Sequence, residues 1–137
     1  MPLVKWTEED RLGHEEIDAQ HEALGAAFNE LHELVLSGGT PERFDAALGK
    51  VLDQLRTHFS TEAKLMAEAA YSQIGLHLDE HRTYLDRLED LRRAATHSDA
   101  SAIAETFFLL RDWFVAHTRK DDRALAEHLS AYQKRGR

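Results

Sequence analysis

An all-α, up-down-up-down four-helix bundle with an N-terminal arm and a short C-terminal helix is the fold this sequence predicts. Three observations carry that expectation. Apolar residues recur every three and four positions through four long stretches, which is the period of an amphipathic helix. Short polar breaks separate the stretches, and short connections make successive helices antiparallel neighbours. Only 2 prolines and 7 glycines interrupt the 137 residues.

The elements follow in order. Residues 1–16 read as an extended arm anchored by Trp6. The first helix, near Ile17–Leu36, has the inward seam Ile17, His21, Leu24, Phe28, Leu31 and Val35. Ser37-Gly38-Gly39-Thr40-Pro41 breaks it, with Thr40 as N-cap and Pro41 at the first position of the next helix. That second helix, near Glu42–Ala69, has the seam Leu48, Val51, Leu55, His58, Glu62 and Leu65. A softer break at Ala70-Tyr71-Ser72 precedes a third helix near Gln73–Ala95, with Ile74, His77, His81, Tyr84, Leu88 and Leu91. Thr96-His97-Ser98-Asp99 is the last break. The fourth helix, from about Ala100 to His117, aligns Ile103, Phe107, Leu110, Phe114 and His117. A final helix is expected near Arg123–Gln133, with residues 134–137 frayed.

Composition narrows the function. The length fits a single domain over residues 1–137, long enough to bury a core without staples. Absence of cysteine excludes disulfides, zinc-thiolate sites and thiol catalysis, and suits a cytoplasmic location. No apolar run approaches the roughly 20 residues of a membrane span. Met1-Pro2-Leu3-Val4-Lys5 lacks the apolar stretch of a signal peptide. A formal charge of −8 argues against a nucleic-acid partner.

Nine histidines are the unusual feature, and their placement matters more than their number. Apart from His21, His58, Glu62, His77, His81 and His117, every seam is apolar or aromatic. A buried carboxylate or imidazole is costly without partners. With a rise of about 1.5 Å per residue, these six share one layer, because His21 and His58 lie about 15 and 17 residues from the first break. His81 and His117 stand at matching distances from the last break, and Glu62 and His77 flank the middle one. His58/Glu62 and His77/His81 are i,i+4 pairs, each on one helix face. Imidazole and carboxylate suit iron. Five histidines and one glutamate exceed the needs of one metal, and a carboxylate can bridge two, so a binuclear site is the natural reading. A further carboxylate is expected after His117. Straight helix geometry favours Asp121, whereas a widened turn or a helix end would bring Asp122 round.

Four motifs, in order, resemble those of the hemerythrin family. Gly13-His14-Glu15-Glu16-Ile17-Asp18-Ala19-Gln20-His21 is similar to its opening stretch, and His58-Phe59-Ser60-Thr61-Glu62 to its His-Phe-x-x-Glu. His77-x-x-x-His81 matches the third motif. Trp113-Phe114-Val115-Ala116-His117 followed by Asp122 matches the fourth. The resemblance spans Trp6 to about Leu125 and points to a bacterial, stand-alone member.

The resemblance implies a non-haem di-iron site that binds dioxygen reversibly and is not an enzyme. One iron would be held by His77, His81 and His117 and the other by His21 and His58, with one position open. Glu62, Asp122 and an oxo or hydroxo group would bridge the two. Dioxygen would bind end-on at the five-coordinate iron as hydroperoxide. Leu24, Phe59, Trp113, Phe114 and Thr118 would form the oxygen pocket. An oxygen-consuming enzyme is a possible recipient. The sequence departs from the family pattern at Ala63, Ser72 and Thr118, and the last stands beside the expected pocket. Thr118 has two readings: its hydroxyl faces the adduct and shortens its life, or bonds back to the Phe114 carbonyl. His14, His32, His97 and His128 lie off the seams and read as solvated, with His14 alone near enough to approach the site.

Two other functions compete. A di-iron oxidase or peroxidase of the carboxylate-rich kind would show paired Glu-x-x-His motifs, and no histidine here has Glu three residues before it. A sensor of oxygen or redox state would need a partner protein, since the sequence offers no output domain. A zinc protease is excluded because Leu78 stands where His-Glu-x-x-His requires Glu.

Overall fold

The computed structural model describes residues 2–97 and 99–135. The helices are α1 (Glu15–Leu36), α2 (Pro41–Glu68), α3 (Ile74–Ala95), α4 (Ala100–Asp112) and α5 (Asp122–Arg135), with a π-helical stretch Trp113–Asp121 joining the last two. Helices α1 to α4 pack up-down-up-down as the sequence predicts, α1 against α2, α2 against α3 and α3 against α4.

Local chemistry sets the boundaries. Thr40 caps α2 by accepting from the Arg43 N–H at 3.2 Å, with Pro41 in the first turn. Asp99 caps α4 through the N–H groups of Ser101 and Ala102. Gly38 ends α1 at φ +79°, a left-handed conformation that glycine adopts freely. Ala70 takes the same role after α2 at φ 53°, where the Tyr71 N–H donates back to the Met66 carbonyl at 3.0 Å.

Three expectations are corrected. The N-terminal arm is not extended throughout: Glu8–Asp10 form a 3-10 turn, and α1 begins two residues earlier than its apolar seam suggested. The earlier start reflects His14, whose Nδ1 accepts from the Ile17 N–H and so caps α1. No break separates the fourth helix from the last, because π winding carries the chain through. Lys134 and Arg135, expected to fray, belong to α5, while Ser98 in the last break and Gly136 and Arg137 of the tail lie outside the described residues.

Two apolar clusters bracket a polar layer. The larger contains Leu24, Phe28, Leu48, Leu55, Leu88 and Leu110. The smaller gathers Ile17, Met66, Ala69, Leu125 and Leu129. Ile17 lies one turn before His21 and Met66 one turn after Glu62, so the histidine layer sits between them. Each fully buried large apolar side chain contributes roughly 1.5–3 kcal/mol, which holds the four helices around groups that would otherwise favour water.

Candidate metal centre

The six polar seam residues and Asp122 converge in one layer. His21, His58, Glu62, His77, His81 and Asp122 are buried, and His117 is nearly so. Two carboxylates divide five imidazoles into two groups. Glu62 Oε2 lies 3.3 Å from His58 Nε2, while Oε1 lies 3.3 Å from His77 Nε2 and 3.2 Å from His81 Nε2. Asp122 Oδ2 lies 3.0 Å from His21 Nε2, and Oδ1 lies 3.2 Å from His77 Nε2 and 3.4 Å from His117 Nε2. One donor set is therefore His21, His58, Glu62 and Asp122, and the other His77, His81, His117 and the same two carboxylates. Within each set one donor atom per residue lies within 4.8 Å of the others.

The packing of these donors fits cations. His21 Nε2 and His58 Nε2 approach to 3.1 Å, and His81 Nε2 and His117 Nε2 to 3.3 Å. Each of these four nitrogens also faces a carboxylate oxygen, at 3.0 Å for His21, 3.3 Å for His58, 3.2 Å for His81 and 3.4 Å for His117, and one N–H cannot point at both neighbours. Glu62 Oε2 and Asp122 Oδ1 are buried with no hydrogen-bond partner in line, despite imidazoles nearby. Each orphaned polar atom costs about 1–3 kcal/mol. Nitrogen and carboxylate donors without sulfur suit iron among the common metals.

Electrostatics around the layer are strongly coupled. Burial and the Asp122 charge push the Glu62 carboxyl up, but His58, His77 and His81 outweigh them and hold it at about 2. Burial likewise raises Asp122, yet His117, His21 and His77 take it well below the usual carboxylate range. Burial lowers His77, but Asp122 and Glu62 raise it to about 10. His117 is raised despite burial because Asp122 faces it. For His81 burial prevails over Glu62, and its imidazole is lowered. A cation that replaces these protons meets two carboxylates already ionised.

The choice between Asp121 and Asp122 is explained by the π winding. The Asp122 N–H donates to the His117 carbonyl five residues back, and the wider turn brings Asp122 onto the His117 face. Asp121 is not idle: its Oδ2 lies 3.0 Å from His117 Nδ1, so the two aspartates address opposite sides of one ring. Spacing alone makes the two aspartates alternatives, and the fold uses both. Gln20 lies off the apolar seam and carries no signal in its pattern, yet its Oε1 accepts from His58 Nδ1 at 2.6 Å while Nε2 donates to Thr61 Oγ1 at 3.1 Å. Such partners orient imidazoles and fix their tautomer.

Of the five expected pocket residues, Phe59 and Trp113 touch the histidines. Phe59 stacks on His81 at 3.8 Å between ring centroids, and Trp113 lies 6.0 Å from both His21 and His58 and 5.7 Å from His117. Leu24, one turn beyond His21, is buried in the larger cluster. Phe114 packs edge-on to Trp6 and Phe28, and buried Gly25 gives its ring room that a methyl group would crowd. Thr118 is buried and its hydroxyl donates to the Phe114 carbonyl, the second of its two expected arrangements.

Among the histidines expected to be solvated, His97 is exposed, but three others are corrected. His14 caps α1. His32 is half-buried, edge-on to Phe107 at 5.0 Å. His128 Nε2 donates to the Ala69 carbonyl at 2.8 Å and its ring packs on Tyr71, so it ties α5 to the end of α2.

A four-helix bundle with a buried histidine-carboxylate layer defines a metal-binding helical protein. The Hemerythrin HHE cation binding domain matches residues 12–129, and the chain belongs to the hemerythrin family. Its relatives include a bacteriohemerythrin of Stenotrophomonas maltophilia, 31% identical over 96% of this chain and 85% of the relative. The Methylococcus capsulatus bacteriohemerythrin is 28% identical, covering 96% of this chain and all of its own length. That of Clostridium acetobutylicum is 23% identical over 88% of this chain and 97% of its own. Among the described residues, no helix is long and apolar enough to cross a membrane.

Proposed function

We propose that this chain binds dioxygen reversibly at two iron ions, with His21 and His58 holding one and His77, His81 and His117 the other. Glu62 and Asp122 would bridge them. The observation that carries this reading is the split of each carboxylate: one oxygen faces one histidine group and the second faces the other. The iron pair would supply the two electrons of reversible oxygen binding. Five neutral imidazoles against two carboxylates favour binding over oxygen cleavage, because little negative charge is available to stabilise more oxidised iron.

The remaining residues serve that function. Trp113 and Phe59 pack their rings against the histidines and give the layer an apolar wall. Gln20 keeps the His58 Nδ1 proton directed away from the site, so that Nε2 presents its lone pair. Asp121 acts likewise behind His117. A cytoplasmic location belongs to this reading, which the absence of cysteine suits. An oxygen-consuming enzyme as recipient belongs to it as well.

The test is the optical spectrum of the ferrous-loaded protein through repeated cycles of air and argon. A visible charge-transfer band that rises with oxygen and falls on purging supports carriage. Irreversible bleaching, or steady oxygen consumption with an added reductant, would overturn it.

A further inference from the structure

Two of the seven site donors, His117 and Asp122, depend on the 9 residues of π winding between Trp113 and Asp121. In an α-helix five residues turn about 500°, which would leave Asp122 roughly 140° off the His117 face. Asp121 would face it instead. Extended π winding is rare, because α winding is the ordinary state of a helix. Something outside the segment must favour it.

The N-terminal arm supplies that contact. Arg119, two residues after His117, donates from Nε to Asp10 Oδ1 at 2.6 Å. Asp10 is a carboxylate only 2% exposed, and its Oδ2 accepts from the Thr7 N–H at 2.9 Å. Arg123, just after Asp122, donates from Nη2 to the Glu9 carbonyl at 2.7 Å and from Nε to the Arg119 carbonyl at 3.3 Å. The turn Glu8–Asp10 is thus fastened on both sides of the donor Asp122.

We propose that the Glu8–Asp10 turn clamps the π winding, and that Asp10 and Arg119 are positioning residues that keep Asp122, not Asp121, facing the metals. This inference rests on the metal-pair reading. Loss of the clamp lets the segment wind toward α geometry. That movement withdraws the shared carboxylate Asp122 and displaces Asp121 from behind His117. The effect therefore falls on metal retention as well as on stability.

The experiment uses the full chain loaded with cobalt(II), whose visible bands report coordination. Asp10→Asn, Arg119→Gln and the double variant are compared with wild type. Cobalt per chain, band positions and the release rate to excess chelator are measured where circular dichroism shows every protein folded. Each single variant should release cobalt about tenfold faster with shifted bands, a change within the range that partners of metal ligands contribute. The double variant should be little worse than the singles, since one interaction is lost in all three. Asn29→Ala loosens the arm elsewhere, at its contact with Val4, and should lower stability without moving the bands. If Arg119→Gln does not fold, Arg119→Lys keeps the charge without the Nε geometry and should shift the bands less. Wild-type bands and release rates in both single variants would overturn the clamp alone. Wild type taking up fewer than two cobalt ions would overturn the metal-pair reading and the clamp with it.

Discussion

Replacing Glu62 by glutamine removes one charge from the centre of the layer and leaves the side-chain shape. In the metal-free protein Glu62 is held ionised by His58, His77 and His81, at about 2 instead of 4.5. At about 1.4 kcal/mol per pH unit, that difference is worth ~3 kcal/mol of stability. The sign follows from the direction. A depressed carboxylate stabilises fully above its unfolded value of 4.5 and loses that stabilisation as pH falls toward about 2. Urea denaturation of chelator-treated wild type and Glu62→Gln should therefore differ by ~3 kcal/mol at pH 6 and by about half of that or less at pH 3. A gap below about 1 kcal/mol at pH 6, or one unchanged at pH 3, would refute the reasoning. It would mean that the imidazoles do not pair with Glu62 when the metals are absent.

Other expectations follow from single contacts. His128→Ala should cost about 1–2 kcal/mol in urea denaturation, because it leaves the Ala69 carbonyl without its donor; no loss would show that α5 is held without this bond. Ala70→Gly should stabilise by about 1 kcal/mol, since φ 53° strains alanine and not glycine; a lower melting temperature would contradict this. His77 is raised from 6.5 to about 10, so its contribution is complete below pH 6.5 and is lost as pH rises through about 10. The metal-free chain should weaken between pH 7 and 9, and His77→Phe should weaken less over that range, keeping only the part that comes from His117, which Asp122 also raises. The loaded chain should lack this slope, because the metal has taken the proton's place.

Much of the site was legible because a bundle core punishes polar residues. Leu24 and Phe28 sit on the same α1 seam as His21, and that contrast made the histidine visible as an exception. Equal distances from the breaks then placed six exceptions in one layer. The convergence of Asp122 with these six could not be read from spacing, because straight α geometry turns Asp121 toward the His117 face and nothing in the local pattern signals the π winding that brings Asp122 round. Gln20 escaped for a different reason: a residue beside the seam is usually a solvated face, and only the fold brings His58 against it. His128 read as surface because nothing local reveals that the end of α2 leaves a carbonyl open beside α5.

Counting iron tests the central claim most directly. The metal-free chain, titrated with ferrous iron under nitrogen and freed of excess metal by gel filtration, is analysed for iron per folded chain. The account predicts an endpoint of two irons in wild type, as the two donor sets that share Glu62 and Asp122 require. An endpoint of one iron in wild type would contradict it.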